Sequence, residues 1–321
     1  TEPDIASVFE HNLRTRNVRR KSVAEIFDGE LGDPLTCREQ EQAEALGSVQ
    51  WLHGGPPCQG HSDLNNHTRR DDPRNAFYER MARAAEVLRP TVILIENVPP
   101  VRNDRGEVVD RATAALRGAG YDVHSDVISM LSIGVPQARK RHTVLGLLGL
   151  DVDPRGVLES LEGDPGRPLR WAIEDLEDAG NSPLDVPSRI SPENQERIAW
   201  LHAKPNRNDL PNHLRPRCHR GDHSYKSMYG RLDWDKPAQT ITSGFGSMGQ
   251  GRYVHPSRRR TLTPHEAARL QVFPDWFDFT AGGTVMKRGA WATMIGNAVP
   301  PKLTMELGRL LLPFVSTQEA D

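Results

Sequence analysis

Hydrophobic and polar positions alternate with two different periods over the first 150 residues, and these periods predict helices and strands in turn. Helical spacing covers residues 1–16, 38–46, 75–88 and 107–119. Short apolar runs typical of strands cover residues 23–26, 49–52, 91–95, 121–129 and 143–148. Strands and helices that follow one another at this spacing predict a doubly wound α/β sheet. The run at 91–95 has the unbroken apolar character of a buried strand in a parallel sheet.

The pattern changes after about residue 150. Prolines and glycines become frequent and polar residues dominate to about residue 260, which predicts a second, smaller and irregular domain. Helical spacing returns at 264–272, which begins with Pro at the first helical position, and again at 301–312. We therefore predict an α/β domain at 1–165, an irregular domain at 166–260 and a return to the first domain at 261–321.

Composition limits the classes of protein. Of the 321 residues, 36% are hydrophobic and 26% are charged, as expected for a globular chain, and the apolar run at 91–95 is far too short to cross a bilayer. The three cysteines at 37, 58 and 218 are too widely spaced for a disulfide framework, which favours a reducing compartment. The net charge of -2 does not by itself indicate a nucleic-acid partner.

Two reactive side chains follow predicted strands. Cys58 lies just after the strand at 49–52, and Glu96 lies just after the strand at 91–95. In open α/β sheets the site forms beyond the carboxyl ends of the strands, so a thiol and a carboxyl group would meet there. A cysteine reacts as its thiolate, and a buried glutamate can act as a proton donor. Cys58 alone is better explained as a small buried side chain, and Glu96 alone is explained equally well as an ion-pair partner or as a catalyst. The two together favour chemistry.

A third block reads Gln137-Ala138-Arg139-Lys140-Arg141. Alternate side chains of an extended segment point the same way, so Gln137, Arg139 and Arg141 would face one cleft. A charged edge strand is the alternative interpretation of the same pattern.

These blocks resemble, in this order, the cytosine-5 DNA methyltransferase family. The resemblance is carried by Pro57-Cys58-Gln59, by Glu96-Asn97-Val98 and by the block at 137–141. Two later stretches, 260–274 and 296–301, resemble the remaining blocks of the family, so the resemblance covers nearly the whole chain. It implies a Rossmann-like methyltransferase sheet, with the irregular segment as the target-recognition domain.

The resemblance also implies a reaction and its residues. Cys58 would add to C6 of a flipped-out cytosine, Glu96 would hold N3 and the exocyclic amine, and Arg141 would hold the O2 edge. Arg139 would support the loop that carries Cys58. The residues implied to support the base or the loop are Gln59, Ser62, Asn97 and Gln137. The residues proposed for DNA contacts are Arg69, Arg70, Arg215, Arg217, Arg220, Lys226 and Arg231.

The implied cofactor is S-adenosyl-L-methionine. The residues that match its binding positions are Glu25, Pro56, Pro57, Asn297 and Val299. The glycine-rich loop with which the family normally begins has no counterpart in this chain. A truncated form of the chain accounts for this best, although a companion chain that carries the loop, or a decayed protein, would also account for it. The spacing of Cys218, His219 and His223 fits no standard zinc site, so no metal is expected. His61 stands where the family usually has Phe.

The resemblance implies double-stranded DNA as partner, a bacterial cytoplasm as location close to the nucleoid, and a role in restriction–modification or another defence system. Two alternatives stay open at this point. One is a catalytically impaired DNA-binding subunit or a fragment of a split methylase. The other is an RNA cytosine methyltransferase of the same fold, a branch that usually departs from Pro-Cys-Gln-Gly after the cysteine.

Overall fold

The structure, a computed structural model, describes most of the chain. The described residues are 3–13, 15, 18–58, 60–61, 72–161, 163–178, 180, 182–204, 208–221, 227–283 and 286–315. The strands are β1 (Trp51–Gly54), β2 (Val92–Asn97), β3 (Asp122–Ser129), β4 (Gln137–Ala138), β5 (Lys140–Leu147) and β6 (Ala238–Gln239). The helices are α1 (Pro3–Leu13), α2 (Val23–Ile26), α3 (Cys37–Leu46), α4 (Phe77–Leu88), α5 (Val108–Gly118), α6 (Pro154–Glu159), α7 (Leu169–Ile173), α8 (Pro192–Ala203), α9 (Pro264–Leu270), α10 (Arg288–Asn297) and α11 (Pro301–Val315). Short 3₁₀ turns cover Pro73–Ala76, Pro99–Asn103, Met130–Ile133, Glu174–Leu176, Pro183–Asp185, Asn212–Leu214, Arg217–His219 and Met248–Gln250.

A mixed sheet forms the centre of the α/β part, with the strand order β1-β2-β5-β3. β1 and β2 are parallel, whereas β5 is antiparallel to both β2 and β3. The apolar patterns predicted these strands, but the expected parallel order holds only for the first pair. Parallel neighbouring strands need a long crossover connection, usually a helix. β3 and β5 are joined only by a short 3₁₀ turn and β4, so they pair antiparallel.

β2 is the most deeply buried element. Its residues Val92, Ile93, Leu94 and Ile95 have no exposed surface. Val92 and Leu94 pack with β5 and α11 on one face, and Ile93 and Ile95 pack with α4 and α5 on the other. Because successive side chains of a strand point to opposite faces, helices cover both faces of the sheet, which confirms the α/β class.

A second apolar core joins the start of the chain to its last third. Val8 of α1 packs in one cluster with residues of α7, α9 and α10. Asn12 and Asp278 exchange two hydrogen bonds, at 2.8 and 2.7 Å, beside this contact. A smaller cluster around Leu201 and Val254 holds the irregular segment together.

Helix ends follow capping chemistry where the sequence predicts it, with one correction. α9 begins with Pro264 after a Thr263–Glu266 capping box, as its sequence predicts. The prediction of a strand at 23–26 is wrong: the Ser22 hydroxyl accepts a hydrogen bond from Ala24 N and starts the short helix α2 there. No helix in the described part of the chain has the length and apolar character to span a membrane.

Candidate active site

The turn after β1 carries Cys58. β1 ends at Gly54, and the two prolines that follow fix the backbone before the cysteine. The Cys58 side chain is a half-buried free thiol, and its carbonyl oxygen accepts a hydrogen bond from His61 N at 3.0 Å. The thiol is therefore held in a stiff turn at the carboxyl edge of the sheet.

Glu96 reaches the same edge from the neighbouring strand. It is the fifth residue of β2, not the residue after it, and is paired with Thr143 of β5. A Cβ atom at Gly55 would lie 3.2 Å from Glu96 Oε2 and 3.8 Å from Val299 Cγ2. Glycine at 55 therefore lets the backbone before Cys58 pass close to the Glu96 carboxyl group.

Two guanidinium groups surround this carboxyl group. Arg141 Nε contacts Glu96 Oε1, and both side chains are almost fully buried. Burial raises the pKa of Glu96, and the charges of Arg141 and Arg139 oppose that rise. The balance favours the protonated carboxyl group more than in water, which is the state that can donate a proton or a hydrogen bond.

Arg139 is buried and is bonded to the irregular segment 166–260 and to the residue after α10. It donates to Ile241 O and to Ala298 O, both at 2.9 Å. Burial and the neighbouring Arg141 lower the pKa of its guanidinium, but an arginine stays cationic in a protein. Cys58 is one of the groups that interact electrostatically with this guanidinium. The bonded partners of Arg139 are thus Ile241 and Ala298, whereas the resemblance implied the loop of Cys58.

Gln137 of β4 is bonded both to the end of α9 and to the irregular segment 166–260. Its amide nitrogen donates to Leu270 O at 2.8 Å and to Gln271 Oε1 at 2.7 Å. Its amide oxygen accepts from Ile241 N at 3.1 Å. Gln137, Arg139 and Arg141 are buried while Ala138 and Lys140 between them are exposed, so the alternate side chains do share one side, as the sequence predicts.

Asn97 connects the two parallel strand ends. Its amide nitrogen donates to Pro56 O at 3.3 Å, and its amide oxygen accepts from Val98 N at 2.8 Å. The backbone before Cys58 is thereby tied to the residue after Glu96.

The positions implied for the cofactor divide into two groups. Val299 lies beside Gly55, and Ala298 accepts from Arg139, so the segment after α10 borders the site. A side chain at position 55 would occupy the space beside Val299 and the Glu96 carboxyl group. Glycine leaves this space open, and the methyl-bearing end of S-adenosylmethionine fits there. Pro56 is half-buried and Pro57 and Asn297 are exposed.

Glu25 is the fifth position implied for the cofactor. It is exposed on α2 and lines a polar cavity of about 600 Å³ with several basic side chains. The described lining of that cavity includes none of the four other cofactor positions.

Sequence comparisons agree with this geometry. Residues 30–312 match the family of C-5 cytosine-specific DNA methylases. The Type II methyltransferase M1.BsuMI of Bacillus subtilis (strain 168) is 43% identical over 300 residues, which cover 93% of this chain and 69% of that protein. The Type II methylase M.HgiDII of Herpetosiphon aurantiacus is 32% identical over 330 residues, covering 98% of this chain and 87% of that protein.

The chain belongs to the C-5 cytosine-specific DNA methylase family. Its enzyme class is therefore that of the DNA (cytosine-5-)-methyltransferases. These matches give no support to a companion chain.

Solved structures show the same fold. A DNA modification methyltransferase encoded within an E. coli prophage aligns with a TM-score of 0.64 at 21% identity, covering 98% of this chain and 91% of that one. The Dnmt2 methyltransferase of S. pombe aligns with a TM-score of 0.61 at 15% identity, covering 97% and 88%. The methyltransferase fold predicted from the sequence is confirmed.

The basic residues predicted to contact DNA differ in exposure. Arg217 and Arg220 are exposed. Arg215 and Arg231 are buried: Arg215 Nε donates to Leu210 O at 3.2 Å, and Arg231 Nε donates to Asn208 Oδ1 at 3.2 Å. These two guanidinium groups bind protein atoms inside the irregular segment 166–260, which favours a structural role for them over DNA contact. Three further residues predicted to contact DNA lie outside the described residues: Arg69, Arg70 and Lys226. The same holds for two residues predicted to support the base or the loop, Gln59 and Ser62.

Two buried polar residues of this methylase site were missed by sequence reasoning. Gln271 donates to Ile295 O at 2.7 Å and accepts from Gln137. The Tyr253 hydroxyl donates to Thr240 O at 2.8 Å and interacts electrostatically with Arg139. Their partners are distant in sequence or lie in irregular chain, so no local pattern could indicate them.

Proposed function

We propose that this chain methylates C5 of cytosine in double-stranded DNA through a covalent bond between Cys58 and C6. The observation that carries the proposal is the assembly of Cys58, Glu96, Arg139 and Arg141 at one edge of the sheet, with Glu96 buried and its pKa raised. Neutral C5 of cytosine is a poor nucleophile, so the enzyme must first add electrons to the ring.

Each residue has a definite task in that step. The Cys58 sulfur forms a bond to C6, and Glu96 gives a proton to N3, so that C5 becomes enamine-like. Arg141 keeps its contact with Glu96 and presents its remaining donors to the O2 edge of the base. Arg139 stays cationic beside the thiol. After methylation a base removes the C5 proton, the Cys58–C6 bond breaks, and Glu96 recovers its proton.

The target base must leave the double helix, which costs a few kcal/mol. A buried carboxyl group and guanidinium are suited to replace the hydrogen bonds that the base loses. Arg217 and Arg220 are the described candidates for phosphate contacts, and Arg69, Arg70 and Lys226 are proposed from the sequence alone.

S-adenosyl-L-methionine supplies an electrophilic methyl group when it is bound. Asn297 and Val299 would close the pocket near its sulfonium, and Pro56 and Pro57 would line its far side. Glu25 would meet its adenine only if the cofactor extended to α2, and no described contact supports this.

Two relatives are named as Type II enzymes, which supports a role in restriction–modification. We propose this role for the chain as well, with the bacterial cytoplasm and nucleoid DNA as its place of action.

The experiment is transfer of a labelled methyl group from S-adenosylmethionine to plasmid DNA, with tRNA as a second substrate. We expect label in DNA, at C5 of cytosine after digestion to nucleosides, and none in tRNA. Cys58→Ala should abolish transfer, while Cys37→Ala, the same change at an exposed cysteine, should leave it unchanged. Tight DNA binding without transfer by the unmodified chain would contradict the proposal and support the DNA-binding subunit instead.

A further inference from the structure

His61 closes the turn that carries the nucleophile. Its backbone N–H donates to Cys58 O, and its side chain has no exposed surface. Burying an imidazole costs free energy unless its polar atoms are bonded, so a ring in this place requires a partner.

That partner is Asp104, which lies 43 positions further along the chain. His61 Nε2 lies 3.2 Å from Asp104 Oδ2, and the Asp104 side chain is also buried. A carboxylate only accepts hydrogen bonds, so the Nε2 atom carries the proton and donates it to Asp104. Burial lowers the pKa of His61, which agrees with a neutral ring, while the nearby charges of Asp104 and Asp72 oppose that shift.

Asp104 is itself fixed to the element that follows Glu96. Its backbone N–H donates to Val101 O at 3.0 Å, at the end of the 3₁₀ turn Pro99–Asn103. Its Oδ1 atom accepts from Gly106 N at 2.8 Å, and its Oδ2 atom also accepts from Asn75 Nδ2 at 2.6 Å. Asp104 is therefore a rigid anchor that receives donors from both His61 and Asn75.

Gly60, the residue just before His61, fits tightly against the same anchor region. A Cβ atom at Gly60 would lie 2.0 Å from Asn75 Oδ1 and 2.5 Å from Asp72 Cβ. The turn thus has no room to shift towards these residues, and the His61–Asp104 hydrogen bond opposes movement away from them.

We propose that His61 is a positioning residue for Cys58, and that its hydrogen bond to Asp104 fixes the thiol-bearing turn relative to the strand end that carries Glu96. The proposal rests on the proposed methyl transfer. Displacement of a reacting group by about 1 Å can slow a reaction about 100-fold, so loss of the anchor should act on the rate of bond formation.

Two variants separate hydrogen bonding from packing. His61→Gln keeps a donor N–H on a smaller side chain, whereas His61→Phe keeps a ring but has no donor. We expect the single-turnover rate of methyl transfer to fall in the order wild type, His61→Gln, His61→Phe, with the last lower by about 10- to 100-fold. Affinity for DNA should change less than about twofold, since His61 is buried.

Asp104→Asn provides an independent test through the other partner. It should slow methyl transfer in the wild-type background and add little in the His61→Phe background, as expected for two groups that act through one bond. Melting curves identify any variant that unfolds, and rates are compared below its transition. A rate for His61→Phe equal to or above that of His61→Gln, or additive effects of the two sites, would overturn the proposal. An inactive wild-type protein would instead refute the proposed function.

Discussion

Glu96, Arg139 and Arg141 keep 9% or less of their surface exposed, so water screens their charges poorly. In that setting burial raises the pKa of Glu96 against the opposing pull of two cations. A carboxyl group with this balance can give a proton to a bound base and take it back. The chemistry of single residues here depends on their burial as much as on their type.

Glu96→Gln tests that proton. The variant keeps the size of the side chain but cannot donate a carboxyl proton, so we expect methyl transfer to fall about 10²- to 10⁴-fold with DNA binding retained. Glu159→Gln, the same change at an exposed position on α6, should have no effect. Single-turnover rates and DNA-binding isotherms are the measurements, and a Glu96→Gln rate close to that of wild type would count against the assigned role.

A second residue gives a pH dependence of stability. Burial, with the charge of Arg102, lowers the pKa of His142 to about 4, against an opposing effect of Asp126. The folded pKa is below the unfolded one, so the unfolded state binds the proton first as pH falls from about 6.5 towards 4, and stability is lost in that window. When the pH is lowered from 7 to 5, the free energy of unfolding of His142→Gln should fall by about 2 kcal/mol less than that of wild type, as measured by urea denaturation. Equal losses in the two proteins would refute this assignment.

At the scale of elements, α11 supports the sheet beneath the site. Leu303, Leu307 and Leu311 recur every four residues and are fully buried against β2 and β5. This spacing forms one apolar stripe of the helix. The segment that includes Val299 leads directly into α11, so the packing of this helix also fixes the border of the site.

Leu307→Ala should lower the free energy of unfolding by about 2–5 kcal/mol, because it leaves a cavity beside the sheet. Leu312→Ala, on the exposed side of the same helix, should change it by less than about 0.5 kcal/mol. Urea denaturation measures both. Similar losses for the two variants would mean that α11 does not pack as described.

The elements also explain how far the sequence could predict this structure. The unbroken run in β2 has no good alternative to a buried strand, and its prediction is confirmed. Four residues at 23–26 are too few to distinguish a helix turn from a strand, and there the prediction is wrong. Arginine content could not reveal that Arg215 and Arg231 are buried, and no local pattern could join His61 to Asp104. Contacts between distant segments are set by packing, which sequence periodicity does not contain.

At the scale of the whole molecule, buried hydrogen bonds join the irregular segment 166–260 to the chain that leads into β5. Ile241 is bonded through its carbonyl to Arg139 and through its N–H to Gln137. Arg139 and Gln137 both lie in the stretch just before β5. These bonds would hold DNA in a fixed relation to Cys58 and Glu96 under the proposal that the segment 166–260 binds it.

Arg217→Ala should weaken DNA binding to a similar degree for all sequences, because a phosphate contact carries no sequence information. The slope of log affinity against log salt should become smaller by about 1. Arg155→Ala, an exposed arginine on α6, is the matched control and should leave the slope unchanged. Equal slopes for wild type and Arg217→Ala would remove this residue from the DNA interface.

The central claim is a covalent bond between Cys58 and cytosine C6, and trapping tests it most directly. Plasmid DNA in which 5-fluorocytosine replaces cytosine is incubated with the protein and S-adenosylmethionine, since fluorine at C5 blocks the release of the enzyme. We predict a DNA adduct that resists denaturation and maps to Cys58, is retained in Cys37→Ala and is missing in Cys58→Ala. An adduct that persists in Cys58→Ala, or no adduct from a wild-type protein that methylates ordinary DNA, would contradict the account.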